Sequence, residues 1–460
     1  MSGSSPTSAL EHEDDMAKRW ARVFVLALLS GCVGVAQQAP PRPAAPPQPA
    51  QTTRPFALPR GTPESVGIST ARLDRLHRGM QAYVDRREAG GIVTLIARHG
   101  KIVDVHASGF QDIENRKAMQ TDTIFRIASM SKPITSVAIM MLEEEGKLFL
   151  TDPVSKFIPA FKNQRVIAAG GATVPAVREA TVRDLLSHRA GLSYGFLNAG
   201  PVGDAYRKTG VTDGLTTTSM TLQENIDKLG AQPLMAQPGS AWNYSLSVDV
   251  LGRIVEVVSG QSFDVFLRER IFKPLGMTDT AFDISDAKWP RLATVYSPDG
   301  AGGIRPMKDP ESFDNTHMSP LAYYKAPKRY FSGGAGLTST ILDYARFAQL
   351  LLNGGSLNGV RLLGPKTVEL MTGSQTSDLP PIEGLLGPGA QFGLGFRVVT
   401  DVAATQTQGS VGLFGWRGIY GTAFWVDPKE QLVAVMMVQR YPGSTVGAGF
   451  QPLVYQAFTR

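Results

Sequence analysis

Strand-forming runs lie near the two ends of this chain and not in its middle, and that placement restricts the folds open to it. Residues 92–97 and 102–106 are rich in β-branched side chains and are joined across His99-Gly100, so they read as a hairpin. Residues 418–426 and 432–438 have the same character and are separated by the turn Asp427-Pro428-Lys429. After Ser69, an N-cap residue type, Leu73, Leu76, Met80 and Tyr83 recur at spacings of three and four, which predicts a helix. A second helix is expected over 129–146, where Ile134, Val137, Ala138, Met141 and Leu142 form one stripe. The next roughly 190 residues read as helices and long Gly/Pro-rich loops. The expected architecture is therefore α/β plus all-α: a sheet flanked by helices and assembled from residues 64–125 and 330–460, with 126–329 inserted as a helical part. A site is expected in the cleft between the two parts.

The first residues read as an address. Lys18, Arg19 and Arg22 precede the apolar run 23–29, which is too short to span a bilayer but suits a secretory signal. The run ends in Leu29-Ser30-Gly31-Cys32, which resembles the lipobox of bacterial lipoproteins and implies lipidation at Cys32; an ordinary signal peptide cut after Ala36 is the alternative. Glu11, Glu13, Asp14 and Asp15 have the wrong charge for the start of a signal, so translation beginning at Met16 is a further expectation. From 37 to 63 proline and alanine dominate, a composition that favours extended polyproline conformation over packing. The division expected is a signal peptide over 1–31, a tether over 32–63 and a folded domain over 64–460. Such a chain is exported, periplasmic or held at the outer membrane, and touches a membrane only through an anchor at Cys32.

Composition removes several functions. The chain has 46 Lys and Arg against 40 Asp and Glu, and after residue 60 the basic residues are scattered with no stripe, which argues against a nucleic-acid partner. One cysteine allows no intrachain disulfide and no cysteine zinc site. The 6 histidines include no His-Glu-x-x-His, so no metal is expected.

Ser129-Met130-Ser131-Lys132 places a serine and a lysine three residues apart at a helix start, hence on one face. A serine hydroxyl is a poor nucleophile until a base takes its proton, and a lysine whose charged form is disfavoured by burial can be that base. The helix N-terminus favours the negative charge that develops there. Gly191-Leu192-Ser193-Tyr194-Gly195 also matches a Gly-x-Ser-x-Gly elbow, but that elbow needs a strand before it, and 182–187 reads as helix. His188 beside it reads as a structural, hydrogen-bonded histidine.

Further segments follow in a fixed order: Thr181-Val182-Arg183-Asp184-Leu185-Leu186-Ser187-His188, Ala190-Gly191-Leu192, Pro238-Gly239, Trp242-Asn243-Tyr244-Ser245, Pro274-Leu275-Gly276-Met277 and Gly333-Gly334-Ala335-Gly336-Leu337. With Ser129-Met130-Ser131-Lys132 they resemble the serine β-lactamase-like hydrolases, which include class C β-lactamases, D-Ala-D-Ala peptidases and family VIII esterases. The resemblance runs over most of the chain after residue 60. It implies a β-lactamase/transpeptidase-like fold with an antiparallel sheet, Ser129 as nucleophile, Lys132 as base and Tyr244 as the active-site phenol. It also implies an oxyanion hole made by the backbone N–H groups of Ser129 and Ile419.

Two departures bear on the substrate. The family's Tyr-x-Asn is here Tyr244-Ser245-Leu246, and leucine cannot offer the amide's hydrogen bond. The family's Lys-Thr-Gly aligns with Trp416-Arg417-Gly418, which is similar to the Trp-Gly-Gly of family VIII esterases. Leu246, Trp416, Arg417 and Gly418 are thus the expected substrate-binding residues, with Arg417 turned away from the cleft by strand alternation. The resemblance implies a carboxylesterase acting on small or short-chain esters through a covalent acyl-enzyme, without cofactor. A class C-like β-lactamase or D-Ala-D-Ala carboxypeptidase is the alternative, and a non-catalytic penicillin-recognising envelope protein the second. The sequence leaves the oligomeric state open.

Overall fold

The run at 92–97 lies inside an eight-stranded sheet that joins the two ends of the chain. The computed structural model describes residues 58–459 except 169, 199, 326, 383, 444 and 445. The signal segment, Cys32 and most of the tether fall on 1–57, outside the described residues. The strands are β1 (Gly91–Arg98), β2 (Lys101–Asp112), β3 (Lys117–Ala118), β4 (Ala390–Phe392), β5 (Arg397–Val399), β6 (Phe414–Arg417), β7 (Ala423–Asp427) and β8 (Leu432–Val438). Their order is β4-β5-β6-β7-β8-β1-β2-β3, antiparallel throughout. The chain ends meet where Ile92 pairs with Val438 and Arg98 with Leu432.

Four helices cover this sheet: α1 (Thr70–Asp85), α2 (Ser131–Glu144), α4 (Ile341–Leu352) and α5 (Val446–Tyr455); α3 (Ser247–Ser259) stands behind α2. Ser69 caps α1 by accepting the Arg72 N–H at 3.4 Å. Every residue of β1 is buried because helices cover both faces. Ile92 and Ile96 pack with Leu76 and Met80 of α1 and Phe450 of α5. Val93 and Leu95 point the other way, into a core shared with Ile134 and Val137 of α2 and Phe347 of α4. The two-residue period of the strand thus sorts its side chains between two cores.

Three expectations need correction. The strand expected over 418–426 is broken: Gly418 N–H donates to Thr422 O at 2.8 Å and Gly421, at φ 92°, closes a hairpin turn, so Trp416 and Arg417 belong to the incoming strand. The tether stops short of 63, because Leu58 is buried and Gly61 N–H donates to Ile102 O at 3.0 Å, tying the chain to β2. The helical middle also contains hairpins such as Tyr296–Pro298 with Ile304–Pro306, whose three-residue strands are too short to show a period.

Leu95 is fully buried between sheet and helices. Leu95→Ala is expected to lower stability by about 2–5 kcal/mol, read as a lower denaturant midpoint at unchanged slope. A midpoint equal to that of the wild type would show that this interface repacks freely.

Candidate active site

Ser129 sits in the single 3-10 turn Ala128–Met130 that leads into α2. Ala128 takes φ 41°, costly for a residue with a Cβ, and is held there by complete burial against Leu215, Ala335 and Tyr420. The turn is pinned from behind: Tyr344 OH of α4 donates to Met130 O at 2.8 Å, and Ser131 Oγ accepts the Leu337 N–H at 3.1 Å.

One turn along, Lys132 is fully buried, with Nζ 3.1 Å from Ser129 Oγ, 2.9 Å from Tyr194 OH and 2.8 Å from Gly334 O. As an ammonium it donates to all three; as an amine it offers a lone pair within reach of the Ser129 proton. Gly334 permits this contact. A Cβ there would lie 2.5 Å from Asp249 Oδ2 and 3.0 Å from Tyr194 OH.

Asp249, in the first turn of α3, is buried behind the lysine and accepts from Tyr330 OH at 2.9 Å. Burial pushes its pKa up to about 6, against the opposing effects of Ser332 and the Lys132 charge. Asp213, on the cleft wall, is likewise pushed up to about 6 by burial, against the Leu215 N–H that it accepts. Burial raises the Tyr194 phenol well above its ordinary value, so it stays a neutral phenol whose oxygen accepts from Lys132.

Tyr244 stands on the other side of the lysine, its ring centroid 4.5 Å from Nζ, and its OH accepts from Trp416 Nε1 at 3.4 Å. Among the described residues, the phenol hydrogen-bonded to Lys132 is Tyr194, a residue that sequence reasoning passed over because it lay inside the rejected elbow. Ser193 itself is buried, its hydroxyl donates to the adjacent Tyr194 carbonyl at 3.3 Å, and it follows the helix Val182–Leu186. His188 is buried beside Tyr244, at 4.9 Å between rings, with Nδ1 3.2 Å from Ser245 Oγ. Burial and then the Lys132 charge push its pKa well below the usual value, which leaves it a neutral wall of the site.

In front of Ser129 opens a cleft of about 290 Å³, lined by Tyr194, Phe196, Tyr244, Trp416 and Ile419 among others. Ser129 N–H begins a helical turn and Ile419 N–H lies in the 418–421 turn; neither bonds to another described group, and both residues line the cleft. Trp416, Arg417 and Gly418 line it too. A Cβ on Gly418 would strike Thr422 and the Ile127 carbonyl, so this approach needs glycine.

Leu246 is a correction. It stands at the N-terminal end of α3, its side chain is fully buried in the main core, and it does not line the cleft that holds Ser129. Gly334 and Asp249 were missed as site residues: the first was visible only as part of a glycine-rich segment, and the second carried no signal. Among the described residues, no group of three or more His, Cys, Asp or Glu stands where it could hold a metal ion.

A serine touching a buried lysine at the head of a helix, between an antiparallel sheet and a helical part, defines a serine hydrolase of the Ser-x-x-Lys kind. The chain belongs to the β-lactamase family, whose model matches residues 76–451. Esterase EstB of Burkholderia gladioli is 33% identical over 374 residues, covering 80% of this chain and 89% of its own. A protein of Escherichia coli (strain K12) named for D-alanyl-D-alanine carboxypeptidase activity is 29% identical over 402 residues, covering 83% of this chain and 85% of its own. Among solved structures, EstCE1, a hydrolase with promiscuous acyltransferase activity, superposes with a TM-score of 0.73 at 31% identity, covering 84% of this chain and 98% of its own.

Gly334→Ala is expected to lower turnover by about 10²-fold, the scale of misplacing a catalytic group by an ångström, with the fold retained by circular dichroism. Wild-type turnover would show that Asp249 and Tyr194 yield to the methyl group. Asp249 makes a second prediction. Its folded pKa of about 6 lies above the ordinary 3.8, so the folded state holds a proton that the unfolded chain releases, and stability falls as pH rises through that window. Thermal midpoints of Asp249→Asn between pH 4 and 6 should therefore fall less steeply than wild type; parallel curves would place the proton elsewhere.

Proposed function

We propose that this hydrolase is a carboxylesterase acting on small or short-chain esters through an acyl-serine. The observation that carries the reading is the 3.1 Å contact between Lys132 Nζ and Ser129 Oγ at the floor of a cleft walled by aromatic side chains. Lys132 as the amine takes the Ser129 proton while Oγ bonds to the ester carbonyl carbon, and the carbonyl π pair moves onto oxygen. The N–H groups of Ser129 and Ile419 receive that oxyanion. As it collapses, the ester C–O bond breaks, and Tyr244 passes the proton held by Lys132 to the departing alcohol. Water repeats the sequence against the acyl-enzyme and frees the acid.

Leu246, buried in the core away from the cleft, brings no amide to a peptide-like side chain, and Trp416 occupies the place of a lysine suited to a nearby carboxylate. Both favour an ester over a β-lactam or cell-wall peptide, as do the likenesses to EstB and EstCE1. Fold alone would not separate these substrates. The basic-apolar run ending at Cys32 supports export and a lipid anchor as part of the same proposal.

The test compares wild type, Ser129→Ala and Ser193→Ala on p-nitrophenyl butyrate and a chromogenic cephalosporin. Ester turnover should fall by at least about 10³-fold in Ser129→Ala and persist in Ser193→Ala, and a fluorophosphonate probe should label Ser129. Cephalosporin turnover exceeding that of the ester would move the substrate class, and activity surviving Ser129→Ala would remove the nucleophile.

A further inference from the structure

Beside the cleft the sheet sets two arginines on one face, with no carboxylate paired to either among the described residues. Arg397 of β5 is in register with Gly415 of β6, and Arg417 lies two residues further along the same strand. Paired residues and their i+2 neighbours share a sheet face, so the two side chains are diagonal neighbours on the face opposite Trp416. Both line a second cavity of about 290 Å³, with Thr405, Thr407 and Gln451 among its other walls and no acidic residue among those described. That cavity and the Ser129 cleft share Leu385 and Arg417 as walls, so they adjoin.

Arg397 spends its Nε–H on Leu386 O at 2.7 Å, and among the described residues neither guanidinium pairs with a carboxylate. Burial, and then the Arg417 charge, push the Arg397 pKa down to about 10. Like charges on neighbouring positions of a sheet face are destabilising, and a planar guanidinium fork fits an oxyanion in bidentate fashion. An anion arriving between them relieves the first and uses the second.

We propose that Arg397 and Arg417 form an oxyanion subsite at the end of the active cleft, taking a carboxylate, phosphate or sulfate group. The group is either the far end of an ester that reaches past Trp416 or a free anion. Only the first source rests on the carboxylesterase reading. In that case the substrates are esters with an acid remote from the scissile bond, held on the sheet face away from the reacting carbonyl.

The full chain and its Arg397→Gln, Arg417→Gln and Glu383→Gln variants would be titrated calorimetrically with inorganic phosphate and with glutarate. In parallel, kcat/KM would be compared for mono-p-nitrophenyl glutarate and p-nitrophenyl butyrate. Both anions are expected to bind wild type and to weaken by about tenfold in either arginine variant, the scale of one lost charge-assisted bond. If the anion is the ester's own, the glutarate-to-butyrate ratio falls by a similar factor in Arg397→Gln. A ratio unmoved while phosphate binding weakens assigns the subsite to a free anion. Absence of binding to wild type, with a ratio indifferent to Arg397→Gln, overturns the proposal. So does binding seen only in Glu383→Gln, which removes the carboxylate next in sequence to the wall residue Gly384. Should neither ester be hydrolysed, the carboxylesterase reading falls while the titration still decides the subsite.

Discussion

A lysine taken wholly out of water must find partners for every proton it carries, and the site is built around that demand. Lys132 meets it with a serine hydroxyl, a tyrosine hydroxyl and a backbone carbonyl. Each partner comes from a different stretch of chain, so satisfying one side chain brings together the head of α2, the loop after the helix Val182–Leu186 and the glycine segment before α4. Asp249 adds a carboxylate close to the cation without a direct bond to it, and Gly334 fits between them because it has no side chain. Two of the three partners that make burial tolerable, Ser129 and Tyr194, also line the cleft. Satisfying the lysine and presenting the serine hydroxyl are therefore one arrangement.

The sheet serves this arrangement from two directions. Its core-facing residues carry α2 and α4, and α4 in turn pins the turn that bears Ser129 through Tyr344. The turn that joins β6 to β7 offers Ile419 to the cleft. Trp416 and Arg417, adjacent on β6, serve opposite faces of the sheet, one packing on Tyr244 and the other standing beside Arg397. A strand that alternates in this way can present an aromatic wall to the reacting carbonyl and a cation to whatever lies beyond it.

The fold was legible wherever burial imposes a period. The β-branched apolar runs of β1 and β8 and the stripe of α2 placed the sheet and the serine helix close to their positions in the structure. Strand ends were less legible, because Gly418 and Gly421 form a turn inside a run that is otherwise apolar and branched. The Ser129 to Lys132 contact could be read directly, since three residues of helix bring two side chains together regardless of context. Tyr194, Gly334 and Asp249 could not, because their roles arise from contacts between segments far apart in the chain. Leu246 was misplaced for the converse reason: the resemblance to a Tyr-x-Asn motif put it in the site, but α3 begins there and turns the side chain into the core.

The join between β1 and β8 has a bearing on how this molecule comes into being. The central strand is made early in synthesis and its partner almost last, with more than 300 residues emerging between them. Closing so long a loop is paid in entropy before any ladder bond rewards it. The segment bearing Ile419 and Trp416 is likewise synthesised long after Ser129. A partly made chain therefore holds its serine and lysine but lacks Trp416 and Ile419, which line the finished cleft. Assembly of the cleft is thereby postponed to the final tenth of the polypeptide, whatever the order in which the helices form.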